Sequence, residues 1–487
     1  RRSQITPAFE HQGKFLDNFM PEILIDGLYH ADGQIQDEVY VYGSFLQSKM
    51  YHEQVKCTDC HDPHTARLKT IGNKLCMQCH EPRYDTKGHH FHTVNTEGAE
   101  CINCHMTGQY YMVNDFRRDH SFRVPRPHLT TETGAPNACN QCHSDKSPQW
   151  ASKVLGQWYR EKTEAHYSEI LARGRSRSPQ QGGELVGLIK DRDVPAIVRA
   201  TAIYYLGEIN YPPGLQTLFQ ALADKEPLVR LTAIRTLNPL PQDQRLLYIP
   251  PLLKDSVRAV RISAANNLAD VRVDQIALNY REDFEEALNE FRIYLMVNAD
   301  QRTGQLMMGQ YYDRSGQATK AEKAYWTALE MDSLFNPARI NLGILLNQQK
   351  RNSEAVELYK TVINLEPEYG PAYYYLGLLL AEENQLEEAI PYFQQASQKM
   401  PDNSRIFYNL GLIYQNLEQP EQAEKTFIDG LKIDTRSPDL HNALVILYLQ
   451  QSNHSKASHH LDILLKQYPD EPQLLQWKTL IEQQNSQ

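Results

Sequence analysis

The sequence predicts a mostly α-helical chain in which an irregular, cysteine-rich segment precedes a long array of paired helices. Three observations carry this expectation. All eight cysteines lie between Cys57 and Cys142, a Val-Arg-x-x-Ala pattern then recurs at a spacing of 31 residues, and glycine and alanine afterwards recur at 34. With 487 residues, 41% hydrophobic and 23% charged, the chain has room for about three domains of ~150 residues. No stretch approaches the ~20 consecutive apolar residues of a membrane helix. A net charge of −10 without a long Lys/Arg run argues against nucleic acid as a partner. The chain opens on Arg1, with no apolar signal-peptide core behind it, and reads as a mature or truncated product.

The cysteines fall into four identical patterns: Cys57-Thr-Asp-Cys60-His61, Cys76-Met-Gln-Cys79-His80, Cys101-Ile-Asn-Cys104-His105 and Cys139-Asn-Gln-Cys142-His143. Two thiols three positions apart reach the two vinyl groups of a haem, and the following imidazole becomes the proximal ligand of its iron. Zinc is the competing reading, with Cys57, Cys60, Cys76 and Cys79 as one four-thiolate site and Cys101, Cys104, Cys139 and Cys142 as another. Zinc has no need of a histidine after every pair. Disulfides across each pair would be strained and would also leave those histidines unexplained. The pattern predicts four covalently attached haem c groups, with His61, His80, His105 and His143 as proximal ligands. So short a segment cannot wrap each haem in its own pocket, so the haems should lie close together and serve as the core. Its richness in Gly, Pro, Asn and Thr, with little periodicity, agrees.

Thirteen of the eighteen histidines lie in the first 150 residues, so distal ligands are available. His64 follows a haem motif closely in Cys-His-Asp-Pro-His, where the Pro63 turn can aim it at a neighbouring haem. His89, His90 and His92 form a cluster. His120 precedes a Pro-rich run that holds it in extended chain. His30 is a further candidate, and His11, His52 and His128 are weaker ones.

Several runs here resemble the bacterial multihaem cytochromes c that carry C-terminal tetratricopeptide repeats. They are Leu28-Tyr-His-Ala-Asp-Gly-Gln, Tyr42-Gly-Ser-Phe-Leu-Gln-Ser-Lys-Met, His89-His-Phe-His, Arg118-Asp-His-Ser-Phe-Arg-Val-Pro-Arg-Pro and Pro136-Asn-Ala-Cys-Asn-Gln-Cys-His. The resemblance implies a periplasmic or extracellular electron-transfer protein. It also implies that His30, His64, the cluster from His89 to His92, and His120 are ligand candidates. In that family a further haem-bearing region usually precedes the Arg1-Arg-Ser-Gln stretch, and this chain departs from the pattern there.

Residues 1–150 are thus expected as a tetrahaem cytochrome domain, and 151–183 as a helix followed by a basic, flexible joint, Ala172-Arg-Gly-Arg-Ser-Arg-Ser-Pro. Over 184–280, Val198-Arg199, Val229-Arg230 and Val260-Arg261 recur, each with an Ala three residues after the Arg and an Asp upstream at Asp193, Asp224 or Asp255. These look like short HEAT-type repeats, in which the Asp starts a turn and caps the next helix and the alanine allows close helix packing. A connecting helical segment, 281–301, follows.

The period of 34 is that of tetratricopeptide repeats (TPRs). Gly309, Gly343, Gly377 and Gly411 mark it, as do Ala321, Ala355, Ala389, Ala423 and Ala457. Five units fit 302–471, the last degenerate with Val445 at the glycine position, and 472–487 form a polar cap. Tyr311, Tyr312, Tyr373, Tyr374 and Tyr375 are candidates to line a binding face. The fold class expected is therefore an irregular tetrahaem c-type domain followed by an α-solenoid of HEAT-like and then TPR repeats. The function expected is electron transfer along four closely spaced, mostly bis-histidine haems. The repeats would dock redox partner proteins or drive self-assembly into a homo-oligomer or filament. A multihaem oxidoreductase acting on a nitrogen or sulfur oxyanion at one five-coordinate haem is the alternative.

Overall fold

The structure, a computed structural model, describes residues 2–9, 13–159, 165–209 and 211–485. The chain is mostly helical and divides into two compact units at Asn298 and Ala299. Among the described residues no helix is long and apolar enough to cross a membrane. His11 lies outside the described residues.

In the first unit, strand Arg2–Gln4 pairs antiparallel with Phe19–Pro21, Ser3 opposite Met20. Ile5, Leu24, Leu28, Tyr29, Ile35 and Val39 are buried behind it. This N-terminal part is tied to helices far along the chain. The Leu24 amide donates to Thr201 Oγ1 (3.0 Å), the Asp26 amide to Tyr205 Oη (3.1 Å), and the Arg258 amide to Asp17 Oδ1 (2.8 Å).

The motif-bearing part that follows is built differently. Cys57–Cys60, Cys101–His105 and Ala138–Cys142 are each about one turn of α-helix, and the second motif sits on the 3₁₀ helix Gly72–Gln78. One turn is what a Cys-x-x-Cys pair needs, because residues three apart share a helix face. A hairpin, Gly108–Tyr111 with Asp115–Arg118, separates the third motif from the fourth. From Lys49 to Gly98 no residue is buried. Polypeptide alone gives that stretch no core.

Residues 172–183, expected as a flexible joint, are instead anchored. Helix Tyr167–Gly174 buries Leu171. The Arg175 guanidinium donates to Asp26 Oδ1 at 2.9 Å and to the Tyr29 carbonyl at 2.7 Å. The basic run is tied to the N-terminal part by a carboxylate that sequence distance concealed.

Helix pairs then follow, with Ala196–Gly207, Pro227–Thr236 and Arg258–Asn267 as the inner members. Ala202, Ala233 and Ala264 are fully buried there. The recurring spacing of Arg and Asp forms a ladder between repeats. Arg199 donates to Asp224 (2.7 Å), Arg230 to Asp255 (2.7 Å), and Arg261 to Glu290 (2.6 Å) on helix Arg281–Val297. The aspartates do not cap helices as expected. Asp224 and Asp255 sit two residues earlier, accepting from the amides of Glu226 and Val257 at 2.9 Å in Asx-type turns. At the equivalent of Glu226 stands Pro195, which has no amide hydrogen, and Asp193 is exposed.

The second unit consists, among the described residues, of five helix pairs and a final helix. The pairs are Arg302–Arg314 with Ala318–Met331, Asn336–Gln348 with Asn352–Leu365, Gly370–Glu382 with Leu386–Lys399, Ser404–Asn416 with Pro420–Ile433, and Pro438–Gln450 with His454–Gln467. The repeating glycine faces an aromatic ring sixteen residues on. A Cβ on Gly309, Gly343 or Gly411 would come within 2.5 Å of Tyr325, Tyr359 or Phe427, and on Gly377 within 3.0 Å of Phe393. In the fifth pair Val445 takes the glycine position and Leu461 the aromatic one, both buried in one cluster. A thinner side chain on one helix makes room for a thicker one on the other. The last helix, Pro472–Asn485, buries Leu474 and Ile481.

Candidate functional site

The four motifs follow one another in space as they do in sequence. Burial raises the Cys60 thiol pKa, and the neighbouring Cys76 and Cys79 thiols add to the rise. A hydrogen bond from the Cys101 thiol draws Cys76 down to about 7. Burial pushes Cys104 up to about 11, helped by Cys139 and Cys142. First motif adjoins second, second adjoins third, and third adjoins fourth. All eight thiols are free and at least partly exposed. Among the described residues no three or more Cys, His or carboxylate groups converge as a zinc site would require.

Three of the four motif histidines face a second imidazole. The ring centroids of His61 and His120 are 6.4 Å apart with planes 26° from parallel, those of His89 and His105 6.1 Å and 9°, and those of His92 and His143 6.2 Å and 32°. Two imidazoles bonded to opposite sides of one metal, at ~2 Å per metal–nitrogen bond and ~1 Å from nitrogen to ring centre, would have centroids about 6 Å apart. The donor set therefore fits axial ligation of haem iron in three places.

The other ring nitrogens support this. Nδ1 of His61 lies 2.8 Å from the Ala66 carbonyl, that of His105 2.6 Å from Arg123 O, and that of His120 2.9 Å from Arg118 O. His92 Nδ1 is held by the His90 carbonyl. A carbonyl can only accept, so Nδ1 carries the proton and Nε2 keeps its lone pair for a metal. Local backbone builds these contacts. Ala66 adopts a left-handed φ of 55°, which folds the 62–66 loop back over His61. Burial depresses the pKa of His120 and of His89, which favours the neutral ring that a metal ligand needs.

The remaining candidates are placed differently. His80 has Tyr84 edge-on, with centroids 6.2 Å apart at 90°. His64 is exposed, its amide donating to Asp62 Oδ1. His30 is half-buried, and burial lowers its pKa. His90 accepts from the His92 amide through Nδ1 (3.2 Å), while its Nε2 and that of His128 are buried without a hydrogen-bond partner. Around the cluster stand Phe91, Trp158 and Tyr159, for which the sequence carries no site signal.

The tyrosines proposed for a binding face on the repeats are largely packing. Tyr311 and Tyr373 are buried, and Tyr312, Tyr374 and Tyr375 pack against the core of the array. Tyr374 Oη accepts from Asn409 of the next pair at 3.1 Å.

The fold and the site together define a helical-repeat protein carrying paired Cys-x-x-Cys-His motifs. A family model described as a doubled CXXCH motif matches residues 50–84, and one described as HEAT repeats matches 184–269. Tetratricopeptide-repeat models match 306–369, 354–404 and 380–444. No curated protein matches the chain. Among solved structures it is similar to MamA from Desulfovibrio magneticus RS-1, at 22% identity over 35% of this chain and 98% of that one, with a TM-score of 0.32. YrrB, described as a TPR protein with an unusual peptide-binding site, is 22% identical over 38% of this chain and 95% of its own, with a TM-score of 0.32. PilF of Pseudomonas aeruginosa is 17% identical over 46% and 98%, with a TM-score of 0.35.

Proposed function

We propose that this chain is a multihaem c-type cytochrome that passes electrons along four haems, with the helical repeats serving to dock protein partners. The observation that carries the reading is the facing of three motif histidines by second imidazoles at 6.1–6.4 Å. Cys57, Cys60, Cys76, Cys79, Cys101, Cys104, Cys139 and Cys142 anchor the haems. His61 with His120, His105 with His89, and His143 with His92 would hold three of the haem irons. His80 would be the fourth proximal ligand, its second imidazole drawn from His30, His64 and His90 or from the weaker candidates His11, His52 and His128.

Haem c supplies a one-electron couple wherever it is bound. The chain's own residues fix everything else. Carbonyls at Ala66, Arg123 and Arg118 hold the imidazole tautomers, and at the three sites with facing imidazoles a haem iron would have no position left for substrate. Motif adjacency in chain order supports neighbouring haems that would pass electrons from one to the next. The repeats suit protein contacts because stacked helix pairs present an extended face. A redox partner protein or a second copy of the chain, in an oligomer or filament, is the occupant this reading assigns to it. The resemblance to multihaem cytochromes c supports a periplasmic or extracellular location.

The test is the mass of the intact protein together with its paramagnetic resonance and absorption spectra. Four haem masses and predominantly low-spin iron are expected. Absence of covalent haem, or a dominant high-spin signal, would overturn the proposal.

A further inference from the structure

His89 and His92 stand three residues apart yet face the histidines of two different motifs, His105 and His143. One short segment therefore serves two neighbouring sites. The helix Lys87–His90 ends at Phe91 in the left-handed region, φ 55° and ψ 16°. A non-glycine residue adopts that conformation only where its surroundings hold it. Here the hold comes from the end of helix Pro148–Tyr159. The Phe91 ring stacks on Trp158 with centroids 4.5 Å apart and planes 9° from parallel, and meets Tyr159 edge-on at 5.8 Å. His92 meets the Trp158 ring edge-on at 5.9 Å. Tyr159 Oη donates to the His89 carbonyl at 2.5 Å and lies 3.4 Å from His89 Nδ1.

The last contact sets His89 apart. His61, His92, His105 and His120 each place Nδ1 against a main-chain carbonyl. His89 alone among these has a side-chain hydroxyl there, and a hydroxyl can be removed without disturbing the backbone. The phenolic proton goes to the His89 carbonyl, so with Nε2 turned to the metal the Nδ1–H would donate to the phenolic oxygen. Donation from Nδ1–H makes an imidazole a more basic ligand and favours the oxidised metal.

We propose that Trp158 and Tyr159 are positioning residues that clasp the His89–His92 segment. Trp158 sets axial geometry at both the His89/His105 and His92/His143 sites, and Tyr159 tunes the first of these alone. The inference rests on the haem reading given above, and makes helix Pro148–Tyr159 the element whose placement the two sites sense.

The experiment compares the haem-loaded full chain with its Tyr159→Phe, Trp158→Ala and Trp158→Phe variants by paramagnetic resonance and by redox titration. Tyr159→Phe keeps the ring and is expected to shift one low-spin component and move one haem to higher potential. Trp158→Ala is expected to shift two components and leave that of His61/His120 unchanged, and Trp158→Phe, which retains an aromatic face against Phe91, to restore them. Unchanged spectra and potentials in Tyr159→Phe and Trp158→Ala, with only a lower melting temperature, would overturn the clasp. If Trp158→Ala fails to load haem, Tyr159→Phe alone decides. A wild-type protein without low-spin bis-imidazole signals would instead sink the haem reading itself, so the two failures are distinguishable.

Discussion

Single side chains decide what each imidazole can do. Replacing His120 by Ala should leave all four haem masses in place, because the thioether anchors are untouched, yet convert one site to high spin; an unaltered resonance spectrum would refute the pairing with His61. A second residue-scale prediction concerns His441 and His460 in the repeat array, whose Nδ1 atoms lie 2.8 Å apart. His441 Nε2 donates to the Thr435 carbonyl (3.1 Å), while His459, Glu424, Tyr448 and Asp434 surround the pair. Burial, with His441 and His459 beside it, lowers His460 from the ordinary 6.5 to about 4. The folded form thus prefers the neutral ring. The stabilisation is complete above pH 6.5 and is lost as pH falls from there through 4. The melting temperature should drop over that window, and His460→Gln should flatten the drop; a profile identical to wild type would refute it. The motif histidines were legible from spacing alone. Their partners were only partly so, because which imidazole faces which depends on loops such as 62–66, whose course is set by a few left-handed residues.

At the scale of elements, the repeat periods were readable because small residues must recur wherever two helices touch. The meaning of the charged positions was not. The aspartates of the first array suggest caps, and only the folded chain shows Asp224 and Asp255 each meeting an arginine of the preceding repeat. Arg199 and Asp224 are both buried, so Arg199→Ala leaves a buried carboxylate with less compensation and should cost about 3–5 kcal/mol in denaturant unfolding. A cost below ~1 kcal/mol would mean that Arg192, which also reaches Asp224, suffices by itself. In the second array, Gly411→Val should destabilise by about 1–3 kcal/mol through collision with Phe427. Adding Phe427→Leu should recover much of the loss, reproducing the natural Val445 and Leu461 arrangement; a simply additive double mutant would count against steric coupling.

Across the whole molecule, stability is unevenly distributed. The repeat helices bury continuous cores, whereas no residue from Lys49 to Gly98 is buried. Chain made without haem should therefore be cut by protease within that stretch while the repeats stay protected, as mass mapping of the fragments would show; equal protection throughout would mean that the polypeptide holds itself. The composition made this imbalance readable. It did not reveal that the N-terminal fifty residues attach to helices near Thr201 and Arg258, since hydrogen bonds between distant backbone and side chains leave no local pattern.

The imidazole pairs also have an order along the chain. The pair 89–105 nests within 61–120, while 92–143 begins inside that loop and ends beyond it. With a haem iron between each pair, as proposed above, these would be cross-links that close loops, and 92–143 would cross both of the others. Opening 61–120 or 92–143 would not free the stretch between 92 and 120, which the other still encloses. The segment would thus stay looped when any single imidazole pair is broken.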